Sequence, residues 1–110
     1  MIERTASPKL ELVLTTESGL LQAEYLAKVL LQRRLASCVS FQDICSHYWW
    51  KGKLEQAKEV QLLIKTTSEQ LDSLREAIYQ LHSYETPELI HWSACASKNY
   101  GDWVRGELQS

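Results

Sequence analysis

One pattern occurs twice in this chain: an apolar strand end, two threonines and then a helix of similar length. Residues 12–16 read LVLTT and residues 63–67 read LIKTT. Apolar residues at helical spacing follow each copy, which indicates a doubled β-α-β unit. Right-handed crossovers then place both helices on one face of a four-stranded antiparallel sheet. The repeat therefore predicts an α+β fold, a ferredoxin-like β-α-β-β-α-β sandwich.

Hydrophobic periodicity predicts the individual elements. Period-two alternation predicts a strand over residues 9–16, and apolar residues at helical spacing predict a helix over 19–34. A second helix is predicted over 67–81, and its first residues, TSEQ, have the spacing of a capping box. Strand four is predicted over 88–95, followed by a short C-terminal helix over 99–108.

Between the two helices, residues 37–67 predict a long antiparallel ribbon. This segment contains one glycine and no proline, and β-branched and aromatic residues are frequent in it. Gly52 supplies the reversal between two strands that are longer than average. Two helices cover only one sheet face, yet Leu63 lies on the other face and residues 48–50, YWW, lie near the ribbon tip. We therefore predict self-association that covers the second face.

Composition limits the class of partner. The chain has 110 residues and a net charge of -2, so it offers no general attraction to nucleic acid or to an anionic membrane surface. No apolar stretch approaches the roughly 18 residues that a membrane span needs. We expect residues 1–8 to form a flexible lead-in and residues 9–110 to form one domain.

The cysteines favour a reducing compartment. Cys38, Cys45 and Cys95 are odd in number and contain no C-x-x-C pair, so neither a disulfide framework nor a zinc knuckle is expected. The first residues lack the apolar run of a signal peptide. The expected location is therefore the cytoplasm, with all three thiols reduced.

The segment between helix two and strand four carries the densest set of functional groups. It reads LHSYETPE over residues 81–88. His82 can bind a metal or move a proton, Tyr84 can stack or donate, and Glu85 can accept a proton. A purely structural interpretation is also open, because a histidine is favoured at a helix C-terminus. Cys38, in an apolar run, is likewise open to interpretation as a small core residue.

Signatures of other chemistry are weak. The chain has no H-E-x-x-H or G-x-S-x-G motif, and the glycines at 101 and 106 are followed by Glu107 where a P-loop needs lysine. The aliphatic third strand lacks the stacking aromatics of an RNA-recognition sheet. No enzyme reaction is expected.

Several segments together resemble the CutA family of divalent-cation tolerance proteins, and the resemblance runs from about residue 10 to residue 107. The matching segments are LTT at 14–16, RLASCV at 34–39, YWWKGKLE at 48–55, LIKT at 63–66, LHSYETPELI at 81–90 and the closing Y-x-x-W at 100–103. The resemblance implies a tight homotrimer similar to PII signalling proteins, with ribbon strands pairing between neighbours. It also implies tolerance to divalent metals and copper binding.

Carried over residue by residue, the resemblance implies Cys38 and His82 as copper ligands. It implies that Trp50, Lys65, Tyr84 and Glu85 line the same intersubunit cleft. The leading hypothesis is thus a cytoplasmic homotrimer that binds copper or another divalent cation, which it does not need for folding.

Two rival hypotheses accompany this one. The alternative is a PII-like module that binds a small anionic metabolite at the subunit cleft, with Lys65 as charge partner and Tyr84 or Trp50 as stacking surface. An enzyme that uses Glu85 and His82 as base and acid lacks a substrate-fixing motif. An unidentified small-molecule ligand or partner protein is the remaining possibility.

Overall fold

The computed structural model describes residues 9–108 and confirms the predicted element order, including the short C-terminal helix. The predicted lead-in over residues 1–8 and the last two residues of the predicted domain lie outside that range. The elements are β1 (Lys9–Glu17), α1 (Leu20–Gln32), β2 (Cys38–Trp50), β3 (Lys53–Thr66), α2 (Ser68–Leu81), β4 (Ile90–Cys95) and α3 (Lys98–Leu108). No helix among the described residues is long and apolar enough to cross a membrane.

The four strands form one antiparallel sheet in the order β2-β3-β1-β4. The α+β class with a four-stranded antiparallel sheet is therefore confirmed. In the register, Glu17 lies opposite Val60, Leu14 lies opposite Ile90 and Cys38 lies opposite Lys65. This register decides which side chains share a face, because successive residues of a strand point to opposite sides.

The main core lies between one sheet face and the helices α1 and α2. Val13, Leu62 and Ile64 supply the sheet side, and all three are fully buried. The helix side chains that pack on them recur at helical spacing: Ala23, Leu26 and Leu30 from α1, and Leu74, Ala77 and Ile78 from α2. Each fully buried aliphatic side chain stabilises the fold by about 1.5–3 kcal/mol.

Helix α3 covers one end of the second sheet face. Leu10 points away from Val13 and forms a small separate core with Val104 and Leu108. Arg34 Nη1 donates to the Glu107 carbonyl oxygen at 2.9 Å and so ties the end of α3 to the chain after α1. The second face is thus covered at this end, whereas Ile90 and Trp92 remain exposed.

The long ribbon ends in a tight two-residue turn. Lys51 and Gly52 adopt φ values of 50° and 80°, the pattern of a type I′ turn whose twist matches that of the flanking strands. The ribbon gives the molecule a long dimension of 55 Å. At its tip, Trp49 and Leu54 lie directly opposite each other and are 71% and 70% exposed.

Two element boundaries and one helix cap differ notably from the sequence predictions. Strand β4 begins at Ile90 and not at Glu88, because the Thr15 hydroxyl donates to the Glu88 carbonyl oxygen at 2.6 Å and holds that residue outside the strand. Helix α1 ends at Gln32, two residues before Arg34 turns the chain with a φ of 57°. The predicted capping box before α2 is wrong in one respect, since the Thr67 hydroxyl makes no capping hydrogen bond. Instead, the Glu69 carboxyl accepts hydrogen bonds from the Glu69 backbone N–H and from the Thr67 hydroxyl, and both bonds lower its pKa.

Candidate functional site

A cleft of about 510 Å³ opens on the second sheet face, beyond the part that α3 covers. Alternate residues of β2 form one wall, and the loop between α2 and β4 forms the other. Glu59 and Gln61 of β3 lie between these walls, on the face opposite the buried Val60 and Leu62. The cleft is thus built where the ribbon leaves the helix-covered core.

The lining of this cleft is acidic. It contains the carboxylates of Glu59, Glu85 and Glu88, and none of the described residues that line it is lysine or arginine. Tyr48 and Trp50 supply an aromatic wall. Because like charges concentrate in a concave site, the cleft carries a negative potential that favours cations over anions.

Tyr84 and Glu59 are directly linked across the cleft. Tyr84 Oη donates to Glu59 Oε2 at 2.5 Å, and Glu59 is only 9% exposed. Burial, together with this hydrogen bond, raises the pKa of Tyr84 well above its ordinary value. The phenol therefore stays protonated and holds the Glu59 carboxylate in position.

The repeated threonine pairs have equivalent roles in the two halves of the chain. Thr15 donates to the Glu88 carbonyl oxygen at 2.6 Å, and Thr66, its counterpart in the second copy, donates to the Leu35 carbonyl oxygen at 2.7 Å. Each bond anchors the loop that enters the last strand of the other half, β4 for Thr15 and β2 for Thr66. In the first copy the neighbouring Thr16 also donates to Glu88 Oε1 at 2.6 Å, which fixes that carboxylate in the cleft.

A buried network lies beneath the loop that carries Tyr84. Glu17 is 1% exposed and accepts hydrogen bonds from the Ser83 hydroxyl and from the Ser83 N–H, the latter at 3.2 Å. His82 Nδ1 lies 3.6 Å from Glu17 Oε2 and accepts the Tyr84 N–H at 3.0 Å. The buried His82 Nε2 has no hydrogen-bond partner among residues 9–108. This network holds the loop against β1.

The structure brings three of the predicted site residues together, namely Trp50, Tyr84 and Glu85, which all line the cleft. Lys65 lies elsewhere on the same sheet face. Its Nζ donates to Tyr100 Oη of α3 at 3.1 Å, and this hydrogen bond raises the pKa of Lys65.

Cys38 and His82 do not meet within one chain. Cys38 lies opposite Lys65 on the second face, whereas His82 contacts Glu17, which lies opposite Val60 on the helix-covered face. Val60 and Lys65 are five positions apart in β3, so these two contact points are separated by about 16 Å along the strand. Among residues 9–108, no three histidine, cysteine, aspartate or glutamate side chains are close enough to hold a metal ion. The described part of one chain therefore brings together no metal site made of three such ligands.

Sequence reasoning missed Glu59, Glu88 and Thr16 as parts of the cleft. Alternation around Leu63 places Glu59 on the second face, which is the one signal that the sequence carries for it. The sequence pattern places Glu88 at the start of a strand, and the bond between Glu88 and Thr16 joins residues 72 positions apart. Only the folded chain shows that contact.

Comparisons with known proteins place the chain among tolerance proteins. Residues 11–107 match the family described as CutA1 divalent ion tolerance protein. Divalent-cation tolerance protein CutA of Archaeoglobus fulgidus is 41% identical over 95 residues, which cover 81% of this chain and 88% of the relative. The protein of the same name from Pyrococcus horikoshii is 38% identical over 99 residues, which cover 89% of this chain and 97% of the relative.

Solved structures of CutA proteins have the same fold as this chain. CutA from Synechococcus elongatus superposes with a TM-score of 0.90 at 38% identity, covering 94% of this chain and 93% of that one. The Archaeoglobus fulgidus structure, described as a periplasmic divalent cation tolerance protein, gives a TM-score of 0.88 at 34% identity. It covers 91% of this chain and 99% of that one.

Proposed function

The chain belongs to the CutA1 divalent ion tolerance protein family, and on this premise we propose that it binds divalent cations, copper first among them, as a homotrimer. The observation that carries the proposal is the cleft with three carboxylates, Glu59, Glu85 and Glu88. Hydroxyl groups hold two of these carboxylates in position, and the three attract cations to the cleft although they do not converge on one ion within a chain. Such a cleft raises the local concentration of cations.

The copper ligands of this proposal are Cys38 and His82. Because the Tyr84 N–H occupies His82 Nδ1, the nitrogen left for a metal is Nε2, and because Nε2 is buried, binding requires the loop that carries His82 to move. Thiolate and imidazole are the side chains that copper prefers. Since the two residues lie on opposite sheet faces of one chain, this site takes Cys38 and His82 from different subunits.

A long edge strand and exposed apolar side chains in the single chain support a trimer. Strand β2 has 13 residues and lies at an edge of the sheet, a position that favours pairing with another chain. Trp50, Ile90 and Trp92 are exposed on the second face. Light scattering should give a mass of about 38 kDa, three times the 12.7 kDa of one chain. A 12.7 kDa particle at micromolar concentration contradicts this assembly.

The PII-like alternative is not favoured. An anionic metabolite would meet three carboxylates in the cleft, and Lys65, its predicted charge partner, bonds instead to Tyr100.

The family is named for ion tolerance and not for a reaction, and the absence of catalysis stays a prediction. A cytoplasmic location is likewise a prediction, which cell fractionation tests.

Calorimetric titration of the metal-free trimer tests the proposal with two sets of variants. Cys38→Ser with His82→Asn should remove one tightly bound copper ion per chain, whereas Glu59→Gln with Glu88→Gln should weaken manganese binding at least tenfold. Glu24→Gln with Glu76→Gln, on exposed helix positions, is the matched control and should leave both affinities unchanged. Light scattering on every variant verifies that the trimer persists. An unchanged number of tightly bound copper ions in the first variant would show that the ligands are wrong.

A further inference from the structure

Cys45 and His47 lie side by side on the ribbon, on the face opposite the cleft. They are two positions apart in β2, so their side chains point the same way, while Ile44, Ser46 and Tyr48 between and beside them line the cleft. Cys45 Sγ lies 3.9 Å from His47 Nε2, and both residues are exposed. Neither residue takes part in the function proposed above.

We propose that Cys45 and His47 form a second site on each chain, which binds a thiophilic metal ion, Cu(I) in particular. A metal bonded to sulfur at about 2.3 Å and to nitrogen at about 2.0–2.1 Å spans 3.9 Å when the two bonds enclose about 125°. That angle fits three-coordinate geometry. Thiolate together with imidazole is a ligand set that Cu(I) and zinc accept and that hard cations do not.

Gln56 on the neighbouring strand can add a weak third contact. Gln56 lies directly opposite His47 in the ribbon, and its side-chain amide nitrogen is 3.6 Å from Cys45 Sγ. Rotating the amide by half a turn exchanges nitrogen for oxygen, which presents Oε1 to an ion bound by the other two residues. The paired strands hold the three side chains around one point.

The chain also contains a matched control for the thiol. Cys95 is exposed as well and lies in the edge strand β4, but it is paired in register with Lys9 instead of standing beside a histidine. If exposure alone decided metal binding, Cys95 and Cys45 would respond alike. The site at Cys45 predicts that they differ.

Thiol alkylation tests this difference residue by residue. Reduced, metal-free protein receives two equivalents of Cu(I) per chain without oxygen, enough for both proposed sites, and mass spectrometry then measures the alkylation of each cysteine. Alkylation of Cys45 should slow at least tenfold, while that of Cys95 stays unchanged. His47→Gln should remove most of this protection although it alters no thiol. Equal protection of Cys45 and Cys95, or protection unchanged by His47→Gln, would overturn the proposal.

Metal stoichiometry supplies a second readout, which decides the matter if a neighbouring subunit shields Cys45 from the reagent. The number of Cu(I) ions retained against a colorimetric chelator should fall by one per chain in Cys45→Ser and stay constant in Cys95→Ser. Cys38→Ser with His82→Asn should leave the ion at Cys45 in place, so failure of the cleft proposal and failure of this one are distinguishable. Equal retention in Cys45→Ser and the unaltered protein contradicts the second site.

Discussion

Tyr84 Oη donates to Glu59 Oε2 across the cleft, and the 2.5 Å bond ties the loop after α2 to the middle of β3. The two residues are 25 positions apart in the chain; Tyr84 belongs to the loop wall of the acidic cleft, and Glu59 lies on β3 between the two walls. The shape of the cleft therefore depends on this bond.

Replacing Tyr84 by phenylalanine removes the donor and leaves the ring. Because Glu59 is mostly buried, losing its partner should lower the free energy of unfolding by about 1–3 kcal/mol. Denaturant unfolding at fixed protein concentration measures the change. Tyr79→Phe, at a phenol on the exposed side of α2, is the control and should shift stability by less than about 0.5 kcal/mol. Similar losses in both variants would contradict a role for the bond.

The same bond predicts a loss of stability at high pH. Burial and the contact with Glu59 raise the pKa of Tyr84 in the folded protein, whereas the unfolded chain releases the phenol proton near pH 10. Above about pH 10 the folded state therefore holds a proton that the unfolded state has lost, and stability falls as pH rises. Unfolding measured between about pH 9 and pH 11 should show this fall, and Tyr84→Phe should make it shallower. Parallel curves for both proteins would exclude Tyr84 as the cause.

Glu17 should be among the most sensitive polar positions. Its carboxylate is buried and accepts bonds from the Ser83 hydroxyl and N–H, so Glu17→Ala leaves those donors unpaired. We expect a loss of about 2–4 kcal/mol and a smaller one for Glu17→Gln, which keeps an acceptor. Thermal unfolding measures both. Glu24→Ala, on the exposed side of α1, should have little effect, and an equal loss there would contradict the network's importance.

The ribbon turn offers a stabilising and a destabilising change at adjacent positions. Asparagine adopts positive φ more readily than lysine, so Lys51→Asn should raise stability by a few tenths of a kcal/mol. Gly52→Ala places a Cβ at a φ of 80° and should cost about 1–2 kcal/mol, although no atom lies within 4 Å of the added carbon. Denaturant midpoints of the two variants should move in opposite directions. A shift of the same sign in both would show that backbone conformation does not control the turn.

Elements and faces could be predicted from the sequence because their causes are local. Alternation around Leu62 and Ile64 and the helical stripe through Leu74 and Ile78 follow from which side chains must be buried. The start of β4 could not be predicted, since Thr15, 73 positions away, determines it. The covering of Leu10 by α3 was missed for the same reason.

The candidate site was predictable only in part. The functional groups around Tyr84 stand together in the sequence, so their common loop was foreseeable. Glu59 joins them through a contact between β3 and that loop, which no local spacing encodes. Cys38 and His82 came from a family resemblance, which does not state that they occupy opposite faces of one chain's sheet.

The strand order has a consequence for synthesis on the ribosome. Strand β1 is made first, but its two partners, β3 and β4, are made last among the strands. The hairpin of β2 and β3 can pair as soon as it emerges from the ribosome. Val13 can be buried only after the chain has been synthesised beyond Ile64, its partner in β3. A nascent chain that stalls inside β3 would therefore display an apolar first strand, and this is the interval in which a chaperone would find it.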